Sequence, residues 1–165
     1  EIVTAVRDRY DGERRNPWDE FECGHNYARS LASYALLNAF SGFRFDLERG
    51  MIGFDPAGRR LRTGTGTDTA RSQSPFKCFW SLDSGWGVFE VKPSSVTARV
   101  LYGSLTVRAL EFPFLRCRTI TRVTVGKRQV GFATRDGRIE LSRPVRITPQ
   151  APLVVSSSLT PDLRP

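Results

Sequence analysis

Between Arg15 and Arg29 the chain reads RNPWDEFECGHNYAR. Three carboxylates, Asp19, Glu20 and Glu22, stand there with Trp18, Tyr27 and Arg29 at the start of an apolar helical pattern. A carboxylate accepts hydrogen bonds from two hydroxyls, a guanidinium donates through a rigid fork, and an indole offers a flat apolar face. Together, beside a helix expected to be buried, they have the composition of a sugar-pocket wall. Glu20 precedes the helical pattern and Arg29 lies about one turn inside it, at 3.6 residues per turn, so both can face one cavity. The alternative for this pair is a Glu20–Arg29 salt bridge that only pins the loop. Trp18, just after Pro17, either stacks on a sugar face or plugs the packing. Glu22 fits better as an acceptor for backbone N–H groups near the helix start. His25, the only histidine, has no partnered nucleophile beside it and reads as a surface or capping residue. Asn16, Asp19 and Tyr27 shape the loop.

Retaining glycosidases hold two carboxyl groups about 5–5.5 Å apart and inverting ones about 6.5–9.5 Å apart. Spacing along the chain does not by itself exclude Glu20 and Glu22 from such a pair. The whole run, however, resembles a signature near the C-terminal end of the catalytic domain of glycoside hydrolase family 116, the bacterial β-glucosidases and non-lysosomal glucosylceramidases. The resemblance covers Arg14 to about Gly42 and continues more loosely through Met51-Ile52-Gly53-Phe54-Asp55-Pro56 and Phe79-Trp80 to Gly87. It implies that this segment closes an (α/α)6 barrel and lines the subsite that grips the non-reducing sugar. Glu20 and Arg29 then hydrogen-bond the outer hydroxyls of a bound glucose. It also implies that the nucleophile, a glutamate, and the acid/base, an aspartate, sit on earlier barrel segments, whose motifs are missing from this sequence. No catalytic residue is therefore assigned here. Trp18, Glu20 and Arg29 are the candidate substrate-binding residues, and the implied partners are a glycoside or oligosaccharide and the upstream remainder of the barrel.

The elements that must position these residues follow from periodicity. Ile2, Val3, Ala5, Val6 and Tyr10 give a helical stripe that Gly12 is placed to end. From about Asn26 a second pattern, with Tyr27, Leu31, Tyr34, Leu36, Ala39 and Phe40, is apolar on more than one face, so burial on several sides is expected. Ser41-Gly42 supplies its stop. Beyond Gly42 the period changes from 3.6 to 2. Phe43-Arg44-Phe45 and Met51 to Phe54 read as a hairpin across Arg49-Gly50, and residues 57–75, rich in Gly and Thr, read as a loop. Strands follow at Phe76 to Leu82 and Trp86 to Lys92 about Asp83-Ser84-Gly85, and at Thr97 to Tyr102 and Ser104 to Phe112 about Gly103. Further strands are expected at Ile120 to Val125, Gln129 to Ala133, Arg138 to Leu141 and Val145 to Thr148. The expected class is α+β: terminal helices of an (α/α)6 barrel over residues 1–42, then an antiparallel sheet or sandwich over 43–165. Glu1 already sits in a helical pattern, so a preceding part of the protein is expected.

Composition narrows the function. With 165 residues, 39% hydrophobic and 11% aromatic, the chain is globular rather than disordered. Its net charge of +8 is uneven: residues 1–50 carry seven Arg against nine acids, a net of −2, and residues 51–165 carry eighteen Lys or Arg against eight acids, a net of +10. That excess is spread over strands and turns, and no zinc finger, basic helix or RNA-binding aromatic motif accompanies it, so no nucleic-acid partner is expected. Cys23, Cys78 and Cys117 lack metal-knuckle spacing, and neither a metal nor a cofactor is expected. No apolar run reaches the roughly 18 residues of a membrane span. Without catalysis, the remaining reading is a carbohydrate-binding or structural β module, whose sugar contacts would be Trp18, Trp80 or Trp86.

Overall fold

The computed structural model describes residues 1–14, 31–57 and 75–159. The chain divides into two compact units, Glu1–Leu36 and Leu37–Pro165. In the first, α1 (Ile2–Arg7) is a short helix that buries none of its residues. The loop after it is fixed by Asp11, whose Oδ1 accepts from the backbone N–H groups of Arg14 at 2.8 Å and Glu13 at 3.0 Å. Those bonds, the one from Arg14 first, hold the Asp11 carboxyl below its ordinary value.

α2 (Leu31–Ser41) ends where the sequence places a stop. Gly42 has φ +59°, and its N–H closes the last turn on the Asn38 carbonyl at 2.8 Å. The helix end is tied to the following chain by Asp55 N–H on the Ser41 carbonyl and Ala57 N–H on the Phe40 carbonyl. Leu37 packs against the core, whereas Tyr34, Leu36 and Phe40 are exposed.

This corrects the expected architecture. The described residues hold two α-helices, of six and eleven residues, against eleven strands, so the class is mostly β and residues 1–42 do not form the terminal helices of an (α/α)6 barrel. A barrel terminus needs helix packed on helix. Here Tyr34, Leu36 and Phe40 of α2 are exposed and strands make the core. The 3.6 period correctly marks a helix at residues 31–41, but it carries no information on what that helix packs against.

The strands form two sheets. The first has the order β1 (Arg44–Asp46), β2 (Met51–Gly53), β6 (Leu105–Glu111), β10 (Arg138–Ile147) and β9 (Phe132–Arg135). The second runs β3 (Phe76–Leu82), β4 (Gly85–Lys92), β5 (Ser95–Gly103), β11 (Leu153–Leu159), β7 (Arg118–Val125) and β8 (Arg128–Gln129). Every pairing is antiparallel except β2 with β6, which is parallel, since β3 to β5 cross over to the second sheet between them.

Strand alternation explains why these segments enclose a core. In β4, Gly85, Gly87, Phe89 and Val91 are buried while the residues between them are partly or fully exposed, and β5 and β6 behave similarly. Most of the buried apolar residues of both sheets belong to a single cluster. Its centre is a relay of phenylalanines: Phe54, just past β2, stacks on Phe89 of β4 with centroids 3.7 Å apart, and Phe89 meets Phe112, just past β6, at 5.6 Å. The result is a β-sandwich.

Between β5 and β6 the chain changes sheets across one residue, Ser104. β5 ends at Gly103 in the second sheet and β6 begins at Leu105 in the first, so the hairpin expected about Gly103 is instead a corner. Gly103 has φ +77°, and a Cβ there would lie 2.2 Å from the Ser84 carbonyl oxygen. Ser104 N–H donates to that same carbonyl at 3.0 Å, anchoring the corner on the β3–β4 turn.

Candidate functional site

Trp18, Glu20 and Arg29, with Asn16, Asp19, Glu22, His25 and Tyr27 around them, lie outside the described residues, as do residues 58–74 of the expected loop. Among the described residues, the side chains best suited to meeting a ligand lie on the outer face of the second sheet.

Three strands contribute one ring each to that face. Phe79 comes from β3, Trp86 from β4 and Tyr102 from β5. Parity alone puts the first two outside: Cys78, Trp80 and Leu82 point toward the core on β3, and Phe89 and Val91 do so on β4. Tyr102 is different, because its even-numbered neighbours Val96, Ala98 and Val100 are all buried. A register shift between Trp86 and Gly87 solves this. Trp86 pairs with Tyr102 and Gly87 with Val100, leaving Leu101 as an extra residue, so the strand's parity inverts and Tyr102 emerges beside Trp86. Gly87 is required where the bulge draws the strands together, since a Cβ there would lie 1.8 Å from the Arg99 carbonyl oxygen and 2.9 Å from the Trp80 ring.

The rings form a strip. Phe79 and Trp86 centroids are 5.9 Å apart and tilted by 43°, and Trp86 and Tyr102 are 6.2 Å apart and 22° from parallel. Their exposures are 46%, 40% and 68%. Trp80, one of the tryptophans the sequence offers for sugar stacking, is instead in the core, 2% exposed. Phe79 and Tyr102 were not foreseen as contacts. The apolar pair Phe79-Trp80 does not reveal which member faces out, and Tyr102 depends on a bulge with no sequence mark except Gly87.

The outer face of the first sheet is polar. Arg44, Gly53, Glu111, Arg138 and Arg135 share one cross-strand row. Because Gly53 has no side chain, Arg44 Nη1 crosses above it to Glu111 Oε1 at 3.2 Å. Arg138 Nε is 3.2 Å from Glu140 Oε1, and Arg135 Nε is 3.9 Å from Asp136 Oδ2. Beside them is an open cleft of about 650 Å³, lined by Glu111, Thr134, Arg135, Asp136, Arg138 and Glu140 among others. Each guanidinium in the row has a carboxylate partner, so the row serves chiefly as a surface ladder whose pairs contribute about 0–1 kcal/mol each. Neither glutamate lies in the apolar surroundings that suit a general acid.

Among the described residues, no group of three or more His, Cys, Asp and Glu is placed to hold a metal ion, and no helix is long and apolar enough to cross a membrane. No protein-family model matches the chain, and no curated protein matches it.

Proposed function

We propose that the chain contacts carbohydrate as part of a retaining β-glycosidase, supplying Trp18, Glu20 and Arg29 as sugar-binding residues and leaving the nucleophile and acid/base to other parts of the enzyme. What supports this reading is the resemblance of RNPWDEFECGHNYAR to the family 116 signature, together with the residue types it holds. A carboxylate and a guanidinium suit the two-way hydrogen bonding of sugar hydroxyls.

A site built to hydrogen-bond a hydroxyl loses up to about 10⁴-fold in discrimination when a partner is missing. In the protein its gene encodes, assayed on aryl β-glucosides, Arg29→Ala is expected to lower kcat/KM by about 100-fold or more at an unchanged Tm. Wild-type kinetics in the folded variant would remove Arg29 from the site.

A second reading, a non-catalytic carbohydrate-binding β module, is favoured by the sandwich and by its exposed rings. It separates from the first by turnover: a module binds glycan and hydrolyses none.

A further inference from the structure

We propose that the outer face of the second sheet is itself a glycan-binding platform, on which Phe79, Trp86 and Tyr102 stack the pyranose rings of a neutral, β-linked glucan. The proposal rests on the carbohydrate reading above and adds a second place of contact, away from the Trp18–Arg29 segment in sequence.

The first argument is mounting. The three rings stand on three adjacent, hydrogen-bonded strands, with Trp86 directly opposite Tyr102 and Phe79 opposite the neighbouring Val88. Rings carried by strands are held more rigidly than rings on loops, so little ordering cost accompanies ligand docking. A β-glucopyranose has its hydroxyls equatorial and its C–H bonds axial, and so presents a flat apolar face to an aromatic ring. Around the strip, the exposed Ser81 and Arg99 and the half-buried Thr97 supply donors and acceptors for hydroxyls at the sugar's rim.

Size speaks against a second protein chain. At about 150–250 Å² per aromatic side chain, the exposed fractions amount to roughly 200–400 Å², well below the about 800 Å² per partner of a stable dimer. Below the rings the face turns charged, with Lys77 opposite Glu90 and Lys92 3.7 Å from Glu90. An apolar patch bounded this way fits a ligand a few sugars long.

Charge speaks against nucleic acid, which also stacks on aromatic side chains. Residues 76–103, the three strands and their turns, carry Lys77, Lys92 and Arg99 against Asp83 and Glu90, a net of +1 out of the chain's +8. Arg118, Arg122, Lys127 and Arg128 of β7, β8 and their turn place basic charge toward the far edge of the same sheet, and the nearly neutral half that carries the rings suits an uncharged ligand.

The test is calorimetric titration of the chain with cello- and laminari-oligosaccharides. Wild type is expected to bind one of them saturably, with an affinity that does not change between about 50 and 200 mM salt. Trp86→Ala and the more exposed Tyr102→Ala are each expected to lose about tenfold or more, with folding confirmed by Tm, while Arg29→Ala keeps the platform's binding. If Arg29→Ala abolishes all binding and the ring variants bind as wild type, the platform is overturned and the Arg29 site stands. Conversely, platform binding together with wild-type kcat/KM for Arg29→Ala in the protein its gene encodes sinks the proposed function alone. Failure of wild type to bind either oligosaccharide overturns the platform. So does salt-sensitive binding of oligothymidylate through the same rings, or a wild-type dimer that Trp86→Ala makes monomeric.

Discussion

Trp80 and Trp86 stand on paired strands, yet one is sealed in the core and the other is open to solvent. That contrast follows from pleat parity, and the sequence hides it where apolar residues come in adjacent pairs. The same parity buries Cys78, and burial pushes its thiol up to about 12, whereas Cys117 is exposed. A thiol must ionise to react, so at pH 8 iodoacetamide is expected to label Cys117 and spare Cys78 until the protein unfolds, as peptide mapping would show. Equal labelling of both in the folded protein would contradict the burial. The linkage has a definite sign. The unfolded thiol loses its proton near its ordinary value of 9.0 and the folded one only near 12, so Cys78 lowers stability as pH rises through that window and has no effect below it. At this scale the motif's candidates lie outside the described residues, and the ring strip was not legible, because Tyr102 reaches the outer face only through a bulge.

Local elements were the most readable layer. The β3–β4 hairpin lies where alternation and Asp83-Ser84-Gly85 put it, and β1 and β2 pair across the expected turn. What failed was partnership. β5 and β6 are consecutive strands that belong to different sheets, and the single strand expected from Gln129 to Ala133 is split into β8 and β9, again in different sheets. β11 was not anticipated, since Ser156, Ser157 and Ser158 dilute its pattern, although it lies inside the second sheet between β5 and β7. Pairing between strands distant in sequence is fixed by packing and leaves little local trace. The corner at Gly103 gives this a test. Gly103→Ala combines a left-handed φ with a Cβ 2.2 Å from a carbonyl oxygen, and is expected to cost about 2 kcal/mol or more in urea denaturation. Stability equal to wild type would show that β5 and β6 are not joined by this corner.

For the whole molecule, the family resemblance over Arg14 to Gly42 suggested a helical barrel end, and the described residues form a mostly β sandwich instead. A motif reports on the residues within it. Architecture is set by the longer strand-forming remainder, whose period of 2 was visible from Gly42 onward. Carbohydrate contact is the claim that unites the motif with the ring strip, and the three tryptophans allow both places to be read in one experiment. Isotope-labelled chain would be titrated with a soluble β-gluco-oligosaccharide while the indole N–H resonances are followed. The expected result is saturable movement of Trp86 and Trp18, with Trp80 fixed in the core. All three resonances standing still at saturating sugar would contradict carbohydrate binding by this chain.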